Sequence, residues 1–257
     1  MKEAKKKYLI FLDLDGTVFK SGSIKVDVKL LNEIDRLKKE GHKFIINTGR
    51  APGFTLIIDG IEHFDFISCM LGNIIFSSNG KVIKKFDAMK EKDILKLYKY
   101  FEKKDIVWTY KDDYFDKTIF SSERLGRHKA KFVSINEFLE DCKNNNIFQI
   151  MAINKVSDEV INAFSEFDFF NMPEDFCDIT IKGSSKAKAV KYFKEIFKDF
   201  TTVSIGDSEN DVAMFDSTDI SISMGNATEE IKSKTDFVTK DCLNDGLIYA
   251  FNNILKI

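Results

Sequence analysis

A short apolar strand that ends in two carboxylates places the strongest constraint on this chain. Tyr8–Leu12 is an uninterrupted apolar run, which is typical of a strand covered on both faces. Asp13 ends the run, and Asp15 follows just before Gly16, a residue that lets the backbone leave the strand sharply. Because open α/β sheets bind ligands at the carboxyl ends of their strands, the acid pair predicts a site at that edge.

The acid pair has simpler explanations when it is taken alone. Asp-Gly after an apolar run is also typical of a plain turn. An EF-hand calcium loop is excluded, because counting from Asp13 puts Val18 at its glycine position and Ile24 at its closing glutamate position. Two carboxylates this close suit magnesium and phosphate chemistry, in which one attacks phosphorus and the other moves a proton. That interpretation requires partners elsewhere in the chain.

Three further segments supply such partners. The strand-like run Phe44–Asn47 ends on Thr48, the strand-like run Thr202–Ile205 ends on Gly206–Asp211, and Lys182–Lys186 opens an amphipathic helix. Each polar residue has a structural explanation by itself, since a hydroxyl can cap a helix, a lysine can be solvated and acids favour a helix N-terminus. Their joint occurrence at strand ends favours one shared site.

These segments resemble the motifs of the haloacid dehalogenase (HAD) superfamily of phosphohydrolases. Asp13–Thr17 is similar to its first motif, Thr48 to its second, Lys186 to its third and Gly206–Asp211 to its fourth. The run Met224–Ala227 resembles the tail of the Cof-type (IIB) branch. The resemblance implies an α/β fold with a Rossmann-like parallel-sheet HAD core.

The spacing of the motifs predicts a second domain. Only one helix, over about residues 27–40, fits between the first two motifs, whereas the gap from Thr48 to Lys186 far exceeds one βα step. We predict a core of residues 1–80 and 183–257 and an α+β domain of residues 81–182, which the resemblance implies is a C2B-type cap. Its predicted helices are Lys90–Glu102, Ile135–Lys143 and Ser157–Phe167, and its predicted strands are Ile106–Tyr110, Ile147–Ile153 and Phe176–Ile181.

The resemblance implies a chemical role for each core motif. Asp13 would attack the substrate phosphorus in line and form an aspartyl-phosphate, and Asp15 would protonate the leaving oxygen and then activate water. Mg²⁺ would be held by the Asp13 carboxylate, the Asp15 carbonyl and Asp207.

The transferred phosphoryl group also has implied contacts. The Thr48 hydroxyl and the Lys186 ammonium would act as catalytic residues that hold its oxygens as charge shifts. Asp211 would orient Lys186 or the waters of the metal ion. The implied substrate-binding residues are Thr48, Gly49, Arg50, Lys186 and Asn210.

Two features lie outside the core motifs. Cof-type proteins usually carry an Asn-Gly-Ala turn after the third core strand, whereas this chain has Leu71–Asn73, so the usual amide is missing or displaced to Asn73. In the cap, which would close on the part of the substrate beyond the phosphate, the candidate specificity residues are Arg124, Arg127 and His128. An ordinary solvated surface explains these three residues equally well.

Composition excludes several other classes of protein. A net charge of -2 gives no basic field that would attract nucleic acid. The lysine-rich start precedes too short an apolar run for a signal peptide, and no stretch approaches a membrane span. The 4 cysteines contain no Cys-x-x-Cys pair, which argues against zinc and disulfides and predicts buried thiols. We therefore expect a cytoplasmic protein without a nucleic-acid or membrane partner, as a monomer or a dimer.

The sequence thus predicts a magnesium-dependent phosphatase that acts on small phosphorylated metabolites, with sugar phosphates as the favoured class. A phosphomutase with the same core is the alternative within the superfamily. A phosphate-sensing module without chemistry is a third interpretation. Asp15 speaks against it, because a pure binding module has no need of a proton-transfer carboxylate.

Overall fold

The computed structural model describes residues 6–20, 22–102, 107–119, 130–171 and 176–257. These residues form two compact units. The first comprises the described residues of Met1–Arg50, Thr55–Lys85 and Ser185–Ile257, and the second those of Ala51–Phe54 and Phe86–Ser184. Each unit has its own sheet.

An eight-stranded sheet is the centre of the first unit. Its strands are β1 (Tyr8–Leu12), β2 (Lys43–Asn47), β3 (Phe66–Cys69), β4 (Ile74–Ser77), β5 (Val82–Lys85), β12 (Thr201–Gly206), β13 (Ile220–Ser223) and β14 (Phe237–Val238). The order is β14-β13-β12-β1-β2-β3-β4-β5; the pairs β3–β4 and β4–β5 are antiparallel, and the other pairs are parallel. The predicted α/β fold with a parallel-sheet core is confirmed, and the carboxyl ends of its parallel strands meet at one edge.

The second unit is an α+β module with a six-stranded sheet. Its strands are β6 (Val107–Lys111), β7 (Asp116–Thr118), β8 (Lys131–Phe132), β9 (Gln149–Ile153), β10 (Phe167–Asn171) and β11 (Cys177–Ile181). The order is β10-β11-β9-β6-β7-β8, and all pairs are antiparallel except β7 with β8.

The helices follow in chain order. They are α1 (Val28–Lys39), α2 (Pro52–Thr55), α3 (Glu91–Glu102), α4 (Ile135–Lys143), α5 (Asp158–Ala163), α6 (Ala187–Ile196), α7 (Val212–Phe215), α8 (Glu229–Lys232) and α9 (Gly246–Tyr249). Short 3₁₀ turns cover Ile61–His63, Glu209–Asp211 and Cys242–Asn244, and a π-helical segment covers Ala250–Leu255.

Local sequence explains why the central elements form where they do. All five residues of β1 are buried, as expected for a strand covered on both faces. The Asp27 carboxylate accepts a hydrogen bond from the Lys29 N–H and caps the start of α1. Phe193 on the apolar stripe of α6 packs on Phe66, with 4.7 Å between ring centroids. The cap therefore sets where α1 begins, and the aromatic contact packs α6 against β3 of the sheet.

Two expectations about local structure are wrong in part. The helix predicted over Ser157–Phe167 is shorter, because α5 ends at Ala163 and Phe167 begins β10, where it pairs with Ile181. Of the four cysteines expected to be buried, Cys242 is partly exposed, whereas the other three are buried free thiols. Within the described ranges, no helix has both the length and the apolar character needed to cross a membrane.

Candidate active site

Parallel strand pairing brings three predicted site segments to one edge of the first sheet. Leu12 at the end of β1 is in register with Ile205 of β12 and with Ile46 of β2. The Asp13 N–H donates to the Ile205 carbonyl at 3.0 Å, so the strand pairing extends to the first acid. Thr48 and Asp207 follow the neighbouring strands directly, and the three side chains therefore leave the sheet at the same edge.

Lys186 joins the first and fourth motifs. Its Nζ lies 2.5 Å from Asp13 Oδ1 and 2.6 Å from Asp211 Oδ1, and the side chain is fully buried. The Asn47 side-chain amide donates to the Lys186 carbonyl at 2.9 Å and thereby fixes the start of α6 to the end of β2. Lys186 is thus held through its ammonium by Asp13 and Asp211 and through its main-chain carbonyl by Asn47.

Burial and neighbouring charges set the ionisation of this cluster. Burial raises the pKa of Asp13, the carboxylates of Asp211 and Asp207 add to the effect, and Lys186 opposes it. Burial alone would lower the pKa of Lys186, but its two carboxylate partners outweigh that effect and raise it. Lys186 is therefore a cation held among acids.

Asp211 connects Lys186 to the loop of the fourth motif. One of its oxygens bonds Lys186, and the other, Oδ2, accepts from the Asp207 N–H at 3.0 Å, the Ser208 N–H at 3.0 Å and the Ser208 hydroxyl at 3.1 Å. A Cβ atom added at Gly206 would lie 2.5 Å from Asp211 Cγ, so glycine is needed for this close approach. Both carboxylate oxygens of Asp211 are thus occupied within the protein.

Asp207 offers the cluster an oxygen that lacks a partner. Its Oδ1 is buried and receives no hydrogen bond from any described residue, a costly arrangement for a carboxylate oxygen. Carboxylate oxygens of Asp13, Asp207 and Asp211 lie within 4.8 Å of one another. A hard divalent cation prefers such oxygen ligands, so the donor set fits a metal ion. Since Asp211 is already committed, Asp13 and Asp207 are the carboxylates available to it.

Asn226 is a site residue to which the sequence analysis gave no role. Its side-chain amide donates to the Gly16 carbonyl at 2.9 Å and to Asp207 Oδ2 at 3.1 Å, and its oxygen accepts from the Cys242 N–H at 3.0 Å. A Cβ atom at Gly16, where φ is +85°, would lie 2.1 Å from Asp207 Oδ2. Asn226 lies in the loop after β13, and the sequence signal that could have found it is the Met224–Ala227 run.

The predicted phosphoryl-binding residues Thr48, Gly49 and Asn210 lie close together. Thr48 is buried, and its hydroxyl accepts from the Arg50 N–H at 3.1 Å. A Cβ atom placed on Gly49 would lie 3.9 Å from the Asn210 side-chain nitrogen, which brings the second and fourth motifs within reach of one small group.

The turn that departs from the Cof-type pattern has an uncommon backbone. Met70 and Leu71 have φ values of 53° and 54°, and Gly72 follows with 86°. The Met70 N–H donates to the Arg50 carbonyl at 3.0 Å and the Leu71 N–H to the Thr48 carbonyl at 3.1 Å, which hold this left-handed stretch against the second motif.

The side chain of Asn73 contacts its own turn and the helix α6. It is buried, its amide nitrogen donates to the Met70 carbonyl at 2.8 Å, and its oxygen accepts from Lys188 Nζ at 3.2 Å. The amide expected at this turn is therefore displaced to Asn73 and holds the turn itself.

Arg50 contacts Asp15, although the resemblance implied that it binds substrate. Its Nε and Nη2 each lie 2.7 Å from one oxygen of the Asp15 carboxylate. Burial opposes ionisation of Asp15, but the hydrogen bonds and the charge of Arg50 outweigh it and lower the pKa of this carboxyl.

The candidate specificity residues Arg124, Arg127 and His128 lie outside the described residues.

Asp207→Asn is expected to alter how the stability of the metal-free protein depends on pH. Burial, reinforced by the Asp211 carboxylate, raises the pKa of Asp207 from its ordinary 3.8 to about 7. Between these values the folded protein keeps a proton that the unfolded chain loses. The free energy of unfolding therefore falls as pH rises through this window, by up to about 1.4 kcal/mol per pH unit, and the variant lacks this contribution.

Urea unfolding with EDTA, at several pH values from about 5 to 8, measures this effect. The stability of Asp207→Asn relative to the parent should rise with pH and level off above the raised pKa. The exposed Asp216→Asn is the control and should show no such trend. A stability difference between Asp207→Asn and the parent that is independent of pH would contradict the prediction.

The comparisons with known proteins agree with this geometry. The family model described as haloacid dehalogenase-like hydrolase matches residues 10–251. The chain is 29% identical over 255 residues to the Bacillus subtilis (strain 168) protein named "Putative phosphatase YkrA", with 96% of this chain and 97% of that protein covered.

Two solved structures share the fold. A phosphatase of the haloalkanoate (HAD) enzyme superfamily from Bacteroides thetaiotaomicron aligns with a TM-score of 0.87 and 23% identity, covering 100% of this chain and 98% of its own. A sugar phosphatase of HAD subclass IIB aligns with a TM-score of 0.82 and 22% identity, covering 98% of this chain and 100% of its own. With a family model that matches nearly the whole length, the chain belongs to the haloacid dehalogenase-like hydrolases.

Proposed function

We propose that the protein is a magnesium-dependent phosphatase that hydrolyses small phosphate monoesters, sugar phosphates among them, through an aspartyl-phosphate on Asp13. The observation that carries the proposal is the cluster in which Lys186 contacts both Asp13 and Asp211 while one oxygen of Asp207 has no hydrogen-bond partner among the described residues. The names of the relatives support it, since one is named a phosphatase and a structural neighbour a sugar phosphatase.

In this proposal Asp13 is the nucleophile and Asp15 moves the proton. In the first step an Asp13 oxygen forms a bond to phosphorus, the bond between phosphorus and the leaving oxygen breaks, and the Asp15 carboxyl gives its proton to that oxygen. In the second step a water oxygen bonds to phosphorus, the bond to Asp13 breaks, and the water proton passes to Asp15. The substrate is thereby divided into an alcohol and inorganic phosphate.

Lys186 and Thr48 would stabilise the negative charge that shifts on the phosphoryl group during both steps. The Lys186 ammonium is fixed beside Asp13 by two carboxylates, so it is oriented before substrate arrives. A preorganised cation in a dry site stabilises developing negative charge with little reorganisation. The Thr48 hydroxyl would donate to a phosphoryl oxygen at the same strand edge.

The donor set identifies which residues would hold the metal ion. These are the Asp13 carboxylate, the Asp207 carboxylate with its unpartnered Oδ1, and the main-chain carbonyl of Asp15. A bound magnesium ion would neutralise part of the negative charge shared by the phosphoryl group and these acids. Asn226 would keep Asp207 in place through its bond to Oδ2.

We also propose that the second unit is the cap that selects substrates. It is an α+β module between the second and third motifs, as the motif spacing predicts. Its role would be to contact the part of the substrate beyond the phosphate and to exclude water.

A phosphate-release screen over phosphorylated metabolites tests the function. With Mg²⁺ we expect release from several sugar phosphates and other small monoesters, and no release in excess EDTA. Ca²⁺ should inhibit, because it prefers a larger and looser oxygen shell than Mg²⁺. Asp207→Ala should raise the Mg²⁺ concentration needed for half-maximal activity. Full activity in excess chelator, or no release from any compound, would overturn the proposal.

A further inference from the structure

The guanidinium of Arg50 holds the Asp15 carboxylate in a fork. Arg50 Nε lies 2.7 Å from Asp15 Oδ2, and Nη2 lies 2.7 Å from Oδ1. Two parallel N–H···O bonds of this kind fix the plane of a carboxylate as well as its position. Only 18% of the Arg50 side chain and 31% of the Asp15 side chain are exposed, so water competes weakly for the pair.

The remaining contacts of the guanidinium attach it to the loop that follows Asp15. Its Nη1 and Nη2 each lie 3.3 Å from the Ser23 carbonyl, and its central carbon lies 5.4 Å from the centroid of the Phe19 ring. The Gly22 N–H donates to Asp15 Oδ1 at 3.1 Å. The loop therefore closes around the pair and restricts it to one geometry.

The backbone of Arg50 is fixed as firmly as its side chain. Its N–H donates to the Thr48 hydroxyl at 3.1 Å, and its carbonyl accepts from Met70 at 3.0 Å. The left-handed turn after β3 therefore holds the main chain of Arg50, while Asp15 holds its side chain. Because the Arg50 backbone is held at the sheet edge and its side chain binds Asp15, Arg50 fixes Asp15 relative to that edge.

From these contacts we propose that Arg50 is the positioning residue of Asp15, rather than a residue that binds the phosphoryl group. The fork fixes the position of the Asp15 carboxyl. This carboxyl exchanges a proton with the leaving oxygen and with water. When Asp15 carries its proton, one of the two N–H···O contacts opens and the other keeps the carboxyl in place. The inference rests on the proposed phosphatase function.

The test compares substrates with different leaving groups. If Arg50 positions the proton donor Asp15, its loss should slow only those substrates whose leaving oxygen needs a proton. An alkyl phosphate releases a strongly basic oxygen, whereas p-nitrophenyl phosphate releases a phenolate that leaves without one. The parameter kcat/KM reports the step in which that bond breaks. Arg50→Ala should lower kcat/KM for the best alkyl phosphate of the screen by about 10²-fold or more, and for p-nitrophenyl phosphate by less than about tenfold.

Three further variants sharpen the result. Arg50→Lys keeps the charge without the fork and should lie between the parent and Arg50→Ala. Arg36→Ala, which breaks a paired arginine on the exposed side of α1, is the matched control and should leave the ratio of the two kcat/KM values unchanged. Asp15→Asn should show the same preference for p-nitrophenyl phosphate, and adding Arg50→Ala to it should cost little more.

Inhibition by inorganic phosphate separates the two roles of Arg50. A positioning role leaves the inhibition constant of Arg50→Ala within about threefold of the parent, whereas loss of a phosphate ligand weakens it by tenfold or more. Equal losses for both substrates together with weakened phosphate inhibition would overturn the inference while the parent remains a phosphatase. A parent that releases phosphate from neither substrate would overturn the proposed function and this inference with it.

Discussion

Asp13→Asn is expected to reduce phosphate release to background, a loss on the order of 10⁴-fold or more, while the protein stays folded. The amide keeps the shape of the side chain but has no anionic oxygen that can attack phosphorus. It also replaces one carboxyl of a cluster of three acids, two of them buried, with a neutral amide, so the fold has no new repulsion to overcome.

Phosphate release from the best substrate, and thermal unfolding followed by circular dichroism, are the two measurements for Asp13→Asn. The exposed Asp216→Asn carries the same chemical change outside the site and should match the parent in both. Substantial turnover by a folded Asp13→Asn protein would refute a covalent mechanism on this carboxylate.

Lys186→Met is expected to cause the largest loss of stability among the variants considered. It leaves Asp13 and Asp211 buried without the cation that both of them contact. Removing one partner of a buried ion pair typically costs about 3–5 kcal/mol, because the remaining charge stays desolvated. In a chain of this length that corresponds to a fall of about 10 °C in the unfolding midpoint without added metal. Phosphate release should fall to background as well.

The double variant Lys186→Met/Asp211→Asn distinguishes the charge effect from lost packing. The asparagine oxygen can still accept from the Asp207 and Ser208 N–H groups, while the buried Asp211 charge that has lost its cation disappears. We expect the double variant to recover a large part of the lost stability and none of the activity. A double variant that is no more stable than Lys186→Met would show that the stability loss has another cause.

The positions of the acidic motifs could be predicted because strand ends are local signals. The segments that become β1, β2 and β12 are short, carry buried apolar residues and are followed directly by Asp13, Thr48 and Asp207. Parallel pairing then aligns their carboxyl ends without further information. Asn226 does not follow β13 directly, because Met224 and Gly225 come between them, and it reaches the site only through the loop after that strand.

The contact between Arg50 and Asp15 could not be predicted in this way. An arginine after the second motif is chemically able to bind a phosphoryl group or a carboxylate, and sequence alone does not choose between them. The choice depends on the Ser23 carbonyl and the Phe19 ring, which the loop brings to the guanidinium only after it has folded back.

Elements whose conformation depends on distant pairing were also predicted poorly. The pattern at the start of β10 suits the end of a helix as well as a strand, and pairing of Phe167 with Ile181 of β11 decides the outcome. The left-handed Met70 and Leu71 give no local signal, since such residues rarely adopt positive φ and are held there by long-range backbone hydrogen bonds.

The pairing of β1 with β12 has a consequence for the synthesis of the chain. Tyr8 is made long before its partner in the sheet, Thr201, and Asp211 comes later still. At about 5–20 residues per second, roughly 10–40 s separate the first acid pair from the residues that enclose it. Until then Asp13 and Asp15 stay hydrated on a growing chain. The free energy needed to desolvate them is therefore required only when β12 and the fourth motif pack against β1. An incomplete chain on the ribosome would accordingly carry Asp13, the proposed nucleophile, without Lys186 and the acids that surround it in the folded protein.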